Sequence, residues 1–217
     1  MLSDVRYTVT RCSLSQLWVP PWLVFLLAIA IAYPPQAPAV DSLSLGAILL
    51  LPVSAWLALA TLNSEPASQK ASLGAAQGGP VRHRIALLLG ALLAALALAP
   101  LSIVYAYLHD PSGLQAGGLM LAILAHLVAC ITGVTIAAAL SRPLVQRIGF
   151  TLVWALLIVL ALITIPHLPP LRLTIELLET PDAGAPELLV AVLVTLATAV
   201  AAGLLWWWTS ILAKRRS

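Results

Sequence analysis

Six apolar runs alternate with short polar segments along the chain: residues 17–33, 45–62, 85–107, 118–140, 148–165 and 188–212. None of them contains Asp, Glu, Lys or Arg. Their lengths, roughly 17 to 25 residues, bracket the ~20 that a helix needs to cross ~30 Å of hydrocarbon. A helix satisfies its own backbone hydrogen bonds in lipid, and the Ala- and Leu-rich runs favour helix over strand. The pattern predicts an all-α polytopic membrane protein with six transmembrane helices. Sixteen mostly polar residues precede the first run, without a cleavage-site pattern, so that run is expected to be retained.

Charge sets the orientation. With the N-terminus in the cytoplasm, the inner segments hold Arg6, Arg11, Lys70, Arg82, Arg84, Arg142, Arg147, Lys214, Arg215 and Arg216, and only Arg172 lies outside. Positive residues concentrate on the cytoplasmic side of membrane proteins, so both termini are read as cytoplasmic. The acidic residues fall mostly outside: Asp41, Asp110, Glu176, Glu179, Asp182 and Glu187. Composition agrees: of 217 residues 61% are hydrophobic and 9% charged, against roughly 25% charged in soluble domains. A net charge of +3, placed at the ends of apolar runs, gives no nucleic-acid surface. Cys12 and Cys130 lie in a tail and deep in a span, which argues against a disulfide between them.

Five shorter features stand out. Residues 1–16 place Leu2, Val5 and Val9 on one side at helical spacing, giving either a helix on the inner membrane surface or a disordered tail. Pro20 and Pro21 then fall at the start of the first span, where missing N–H groups cost least. Pro100, about two thirds of the way out along the third span, predicts a kink or break near the outer face. The last outer segment, 166–187, opens with three prolines in five residues and continues through Leu171, Leu173, Ile175, Leu177 and Leu178. It reads as a short helix in or on the outer leaflet, with a strand-like cap as the alternative. Trp206–Trp208 read as an interfacial anchor rather than a stacking site for substrate.

Enzyme motifs are missing. There is no GxxxxGK[ST], no credible Ser/His/Asp set and no metal-ligand cluster, since His83, His109, His126 and His167 are scattered. The chain is therefore expected to carry no catalytic residues and no cofactor of its own. His126, with Cys130 one turn on, is the single histidine within a span. It either bonds a neighbouring helix or lines a path. Trp56, His126 and Thr132 are the candidates for a translocation path. With no carboxylate or Lys in any span, any transport would draw its energy from elsewhere.

The longest polar interruption on the inner side is 63–84, NSEPASQKASLGAAQGGPVRHR. Ser64 is placed to cap a helix, Glu65 suits its first-turn dipole, and Pro66 is tolerated there. Residues 66–76 then form a short helix, ended by Gln77-Gly78-Gly79-Pro80. A plain amphipathic loop is the alternative.

Taken together, six spans, a surface helix before the first, this helical cytoplasmic loop between the second and third, and an outer element between the fifth and sixth resemble the membrane subunit of an ABC type-2 exporter. The run Asn63-Ser64-Glu65-Pro66, Gln69, Ala75-Ala76-Gln77-Gly78-Gly79 and Arg82-His83-Arg84 is similar to the coupling loop of Ala-rich bacterial permeases of that type, with a longer Gly/Ala-rich segment here. The resemblance implies a half-transporter in the bacterial inner membrane that pairs with a second membrane subunit, identical or homologous. A separate cytoplasmic ATPase would bind ATP and Mg and seat residues 65–76 in its cleft. Glu65, Gln69, Lys70, Leu73, Ala76, Arg82 and Arg84 are then the coupling residues. The uncharged spans favour an apolar or amphipathic cargo, such as a peptide, lipid or drug. A non-transporting scaffold subunit of a larger membrane complex is the alternative function.

Overall fold

The computed structural model describes residues 2–33, 37–111, 115–142, 144–145, 147–165, 170–180 and 184–216. These form α1 (Leu2–Leu14), α2 (Val19–Ala32), α3 (Ala39–Asn63), α4 (Ala67–Ala76), α5 (Pro80–Leu96), α6 (Ala99–His109), α7 (Ala116–Leu140), α8 (Ile148–Thr164), α9 (Leu171–Leu178) and α10 (Ala185–Arg216), with no strand among the described residues. Among the described residues, four stretches are long and apolar enough to cross a bilayer: α3, α5 with α6 (Pro80–His109), α7 and α10. A fifth joins them if α1 and α2, bent by 73°, count as one span. The chain is thus a membrane-embedded helical protein. Alone, α2 and α8 have 14 and 17 residues. At 1.5 Å per residue they rise about 21 and 26 Å, short of the hydrocarbon layer.

Prolines and glycines set the boundaries. Pro20 and Pro21 sit in the first turn of α2, Pro80 in that of α5 and Pro100 in that of α6. The kink expected at Pro100 is a break at Ala97–Leu98, between α5 and α6. On the other hand, α3 begins six residues before the apolar run. Asp41 complements its N-terminal dipole, and Asp110 Oδ2 accepts a 3.2 Å bond from the Ala39 amide. The first outer loop is correspondingly shorter than expected, and its residues 34–36 lie outside those described.

The core is the α3–α7 pair. A Cβ at Gly133 would collide with Ser54 Oγ and lie 2.6 Å from the Leu51 carbonyl oxygen and 2.9 Å from the Ala55 amide nitrogen. Only glycine lets the two backbones approach this closely, the device by which membrane helices maximise dispersion contact. Around this pair, α5 and α2 pack on α3, while α10 packs on α7 and α5. The α10 helix locks to α7 through Trp206, whose Nε1 donates to Thr135 Oγ1 at 3.0 Å. Trp207 and Trp208 face outward.

Two short elements resolve the alternatives left open. Residues 171–178 are helical rather than strand-like: Leu171, Thr174, Ile175 and Leu178 form one buried stripe, packed mainly on α7. The prolines at 166 and 169 and the turn at 181–183 lie outside the described residues. The N-terminal segment is helical too, not a disordered tail. It buries Asp4, Thr8 and Cys12 against the protein, and Leu2 and Val9 are exposed. Its polar stripe meets the bundle, and Leu2 and Val9 lie on the exposed side.

Gly133→Leu should therefore destabilise the protein by about 1–3 kcal/mol, the usual cost of overpacking a filled core. Gly203, with nothing within 4 Å of a Cβ, should accept Leu without change. Thermal unfolding of the two variants in the same detergent compares them directly.

Candidate functional site: a buried carboxylate beneath α4

The hairpin between α3 and α5 is rigid for local reasons. The α4 helix ends in a Schellman turn. Gly78 and Gly79 take positive φ (83° and 125°), the Gly79 amide donates to the Gly74 carbonyl at 2.7 Å, and Gly78 donates to Ala75 at 3.4 Å. Pro80 then opens α5 at once. Ser64 does not cap α4 as expected, because Pro66 occupies that position without a side-chain cap. The Ser64 hydroxyl instead donates to the Thr61 carbonyl at 2.8 Å and accepts from Arg11.

Beneath the hairpin lies Glu65, whose side chain is 0% exposed. Its carboxylate pairs with the Arg11 guanidinium of α1 through one oxygen. Through the other it meets His83 Nε2 of α5 at 2.8 Å. The Gln77 amide holds the second His83 nitrogen at 2.7 Å. A second ion pair joins α1 to α5, Asp4 Oδ2 to Arg82 at 2.9 Å. Cys12 Sγ rests 3.9 Å from Thr61 Oγ1, and burial pushes its thiol pKa above the ordinary value. Between α1, α3 and α5 a shallow cleft of about 10 Å³, room for about one water molecule, touches Thr8, Arg11, Cys12, Thr61, Ser64 and Leu87. That is far below the ~300–1,000 Å³ of small-molecule pockets.

The remaining basic residues close helix ends. Lys70 Nζ donates to the Leu62 carbonyl at 2.7 Å, one of the orphan carbonyls of α3. Burial, with the Arg84, Arg11 and Arg142 charges, lowers the Lys70 pKa to about 8. Arg84 reaches from α5 to the end of α7, donating to the carbonyls of Ala138 (2.9 Å) and Arg142 (3.0 Å) and to Ser141 Oγ (2.7 Å). The Arg142 amide in turn donates to Asn63 Oδ1 at 3.2 Å.

The seven coupling candidates therefore separate. Gln69 and Ala76 are exposed on α4, Lys70 and Leu73 are half-buried, and Glu65 and Arg84 are buried. Arg82 is half-exposed and tied to Asp4. The path candidates do not meet around a common space. Trp56 points out of the bundle, whereas His126 and Thr132 are buried in α7, Thr132 with no partner for its hydroxyl. Sequence reasoning missed Asp4, Arg11, Gln77 and His83. The available signal was the polar stripe Asp4, Thr8, Arg11 and Cys12, which helical spacing places on one side of α1.

Compared with known proteins, the chain matches no family model, no curated protein and no solved structure.

Because the Lys70 pKa is depressed on folding, the unfolded chain binds more protons between pH about 8 and 10.5. Stability should rise with pH across that window. Lys70→Met should lose this rise, seen as the pH-dependent difference between the two unfolding curves.

Proposed function

We propose that this chain is the membrane subunit of an ABC type-2 exporter. It would cross the bacterial inner membrane six times, with α2 and α8 as the short crossings and both termini in the cytoplasm. The observation that carries this reading is α4. It is a ten-residue helix between the apolar helices α3 and α5, and its exposed side bears small or polar residues, Gln69, Ser72, Ala75 and Ala76. Such a side suits close seating in a groove of a soluble partner. Beneath it, ion pairs link the hairpin to α1 and α5, so a push on α4 reaches both. The partner would be a separate ATPase that binds ATP and Mg. A second membrane subunit, identical or homologous, would complete the transporter, and an apolar or amphipathic cargo fits the uncharged spans.

Mild-detergent purification of the tagged chain from its host, followed by mass spectrometry, should recover a stoichiometric ATPase. Membrane partners alone would favour a scaffold. Ala76→Arg adds bulk and charge to the exposed side and should lower cargo-dependent ATP hydrolysis at least about tenfold, the effect of losing roughly 1.4 kcal/mol of docking. Its melting temperature should not move. Full coupling in that variant would remove α4 as the docking element.

A further inference from the structure

At the end of the bundle opposite α4, three polar side chains from three helices converge on a fourth helix that offers no side chain. Tyr33 closes α2, Ser102 lies in α6 just beyond the Ala97–Leu98 break, and His126 lies in α7. The Tyr33 hydroxyl is 2.9 Å from Ser102 Oγ, which is 3.0 Å from His126 Nε2. His126 Nδ1 is 2.8 Å from the Ala122 carbonyl oxygen. All three are buried.

The order of protons follows from the partners. A carbonyl only accepts, so Nδ1 carries the proton, and in a neutral imidazole Nε2 must then accept. Ser102 therefore donates to His126, and Tyr33 donates to Ser102. Below them is Gly46 of α3. A Cβ there would collide with Ser102 Oγ and the Tyr33 hydroxyl and lie 3.2 Å from His126 Nε2. The chain of bonds exists only because α3 has a glycine at this position.

The helices joined in this way are unequal. The α7 helix belongs to the close-packed core, whereas α2 packs on α3, and α6, which continues α5 after the two-residue break, packs mainly on α3 and less on α7. Neutral hydrogen bonds between helices in a membrane are weak individually and exchange partners readily. Ion pairs hold the α4 end, whereas this end is joined by the neutral file of Tyr33, Ser102 and His126 together with the bond from the Ala39 amide of α3 to Asp110 Oδ2 after α6.

We propose that Tyr33, Ser102 and His126 form a latch over Gly46 that holds α2 and α6 closed against α7, and that its rupture opens this end of the bundle. The α5–α6 break is the hinge about which α6 swings. The inference does not depend on an ATPase partner.

The test is a distance between spin labels on cysteines introduced at Ile31 in α2 and Met120 in α7, both exposed, in lipid nanodiscs. The native Cys12 and Cys130 are buried and stay in place. The parent should give one dominant short distance. Tyr33→Phe removes one oxygen, and Ser102→Ala removes both side-chain bonds. Tyr33→Phe should raise the share of a discrete longer distance by about fivefold, the shift expected for losing one ordinary hydrogen bond, and Ser102→Ala, which loses two, by more. Gly46→Ala, which wedges the site without deleting a polar group, should do the same. Folded variants that keep the parent's single distance, even at reduced thermal stability, would reduce the triad to static packing and overturn the latch. If Ser102→Ala or Gly46→Ala fails to fold, Tyr33→Phe decides alone.

Discussion

A carboxylate buried without exposed surface constrains everything around it. Leaving Glu65 charged and unpaired would cost several kcal/mol. The chain meets that demand with Arg11, 54 residues before it, and His83, 18 residues after it. Satisfying one acid therefore fixes α1, the α3–α4 junction and α5 relative to one another. The surrounding side chains have the same logic. Lys70 and Arg84 close the ends of α3 and α7, and Asn63 takes the amide that follows α7. Backbone groups that helices leave open at this end are largely answered by side chains from neighbouring helices.

The bundle is held differently along its length. Charge and charge-assisted bonds dominate at the α4 end, close backbone packing at Gly133 dominates the middle, and neutral hydroxyl and imidazole groups dominate at the other end. Charge pairs at a water-facing end are tolerable because the alternative state is hydrated. Deep in apolar surroundings only neutral groups escape a severe desolvation cost, and His126, Ser102 and Tyr33 are of that kind. In the proposed exporter this grading makes the docking end stiff and the opposite end the one that yields.

Much of the architecture was legible in the sequence, because the apolar runs obey one rule of length and charge. The break before Pro100 and the Gly78–Gly79 stop of α4 were legible as well, each from local backbone chemistry. The role of Glu65 was not. A Glu-Pro pair ahead of a helix looks like a favourable first-turn charge, and only a partner on α1 reveals a buried ion pair. Which side of α1 meets the bundle was not read from the sequence either: Thr8 and Cys12 pack inward while Leu2 faces out. His126 was correctly singled out as a buried polar group, although its partners on α6 and α2 were set by tertiary packing alone.

The central claim is that α1 and the α4 hairpin are one unit because Arg11 and Glu65 answer each other. A double-mutant cycle on unfolding stability, comparing the parent, Arg11→Met, Glu65→Gln and the double variant, measures that directly. Each single change should cost about 2–3 kcal/mol, below the full penalty for a wholly buried pair because Arg11 is 24% exposed. The double variant should cost much less than the sum, leaving a coupling of at least about 1 kcal/mol. Additive losses, within about 0.5 kcal/mol, would mean that the two side chains act independently and that α1 is held by something else.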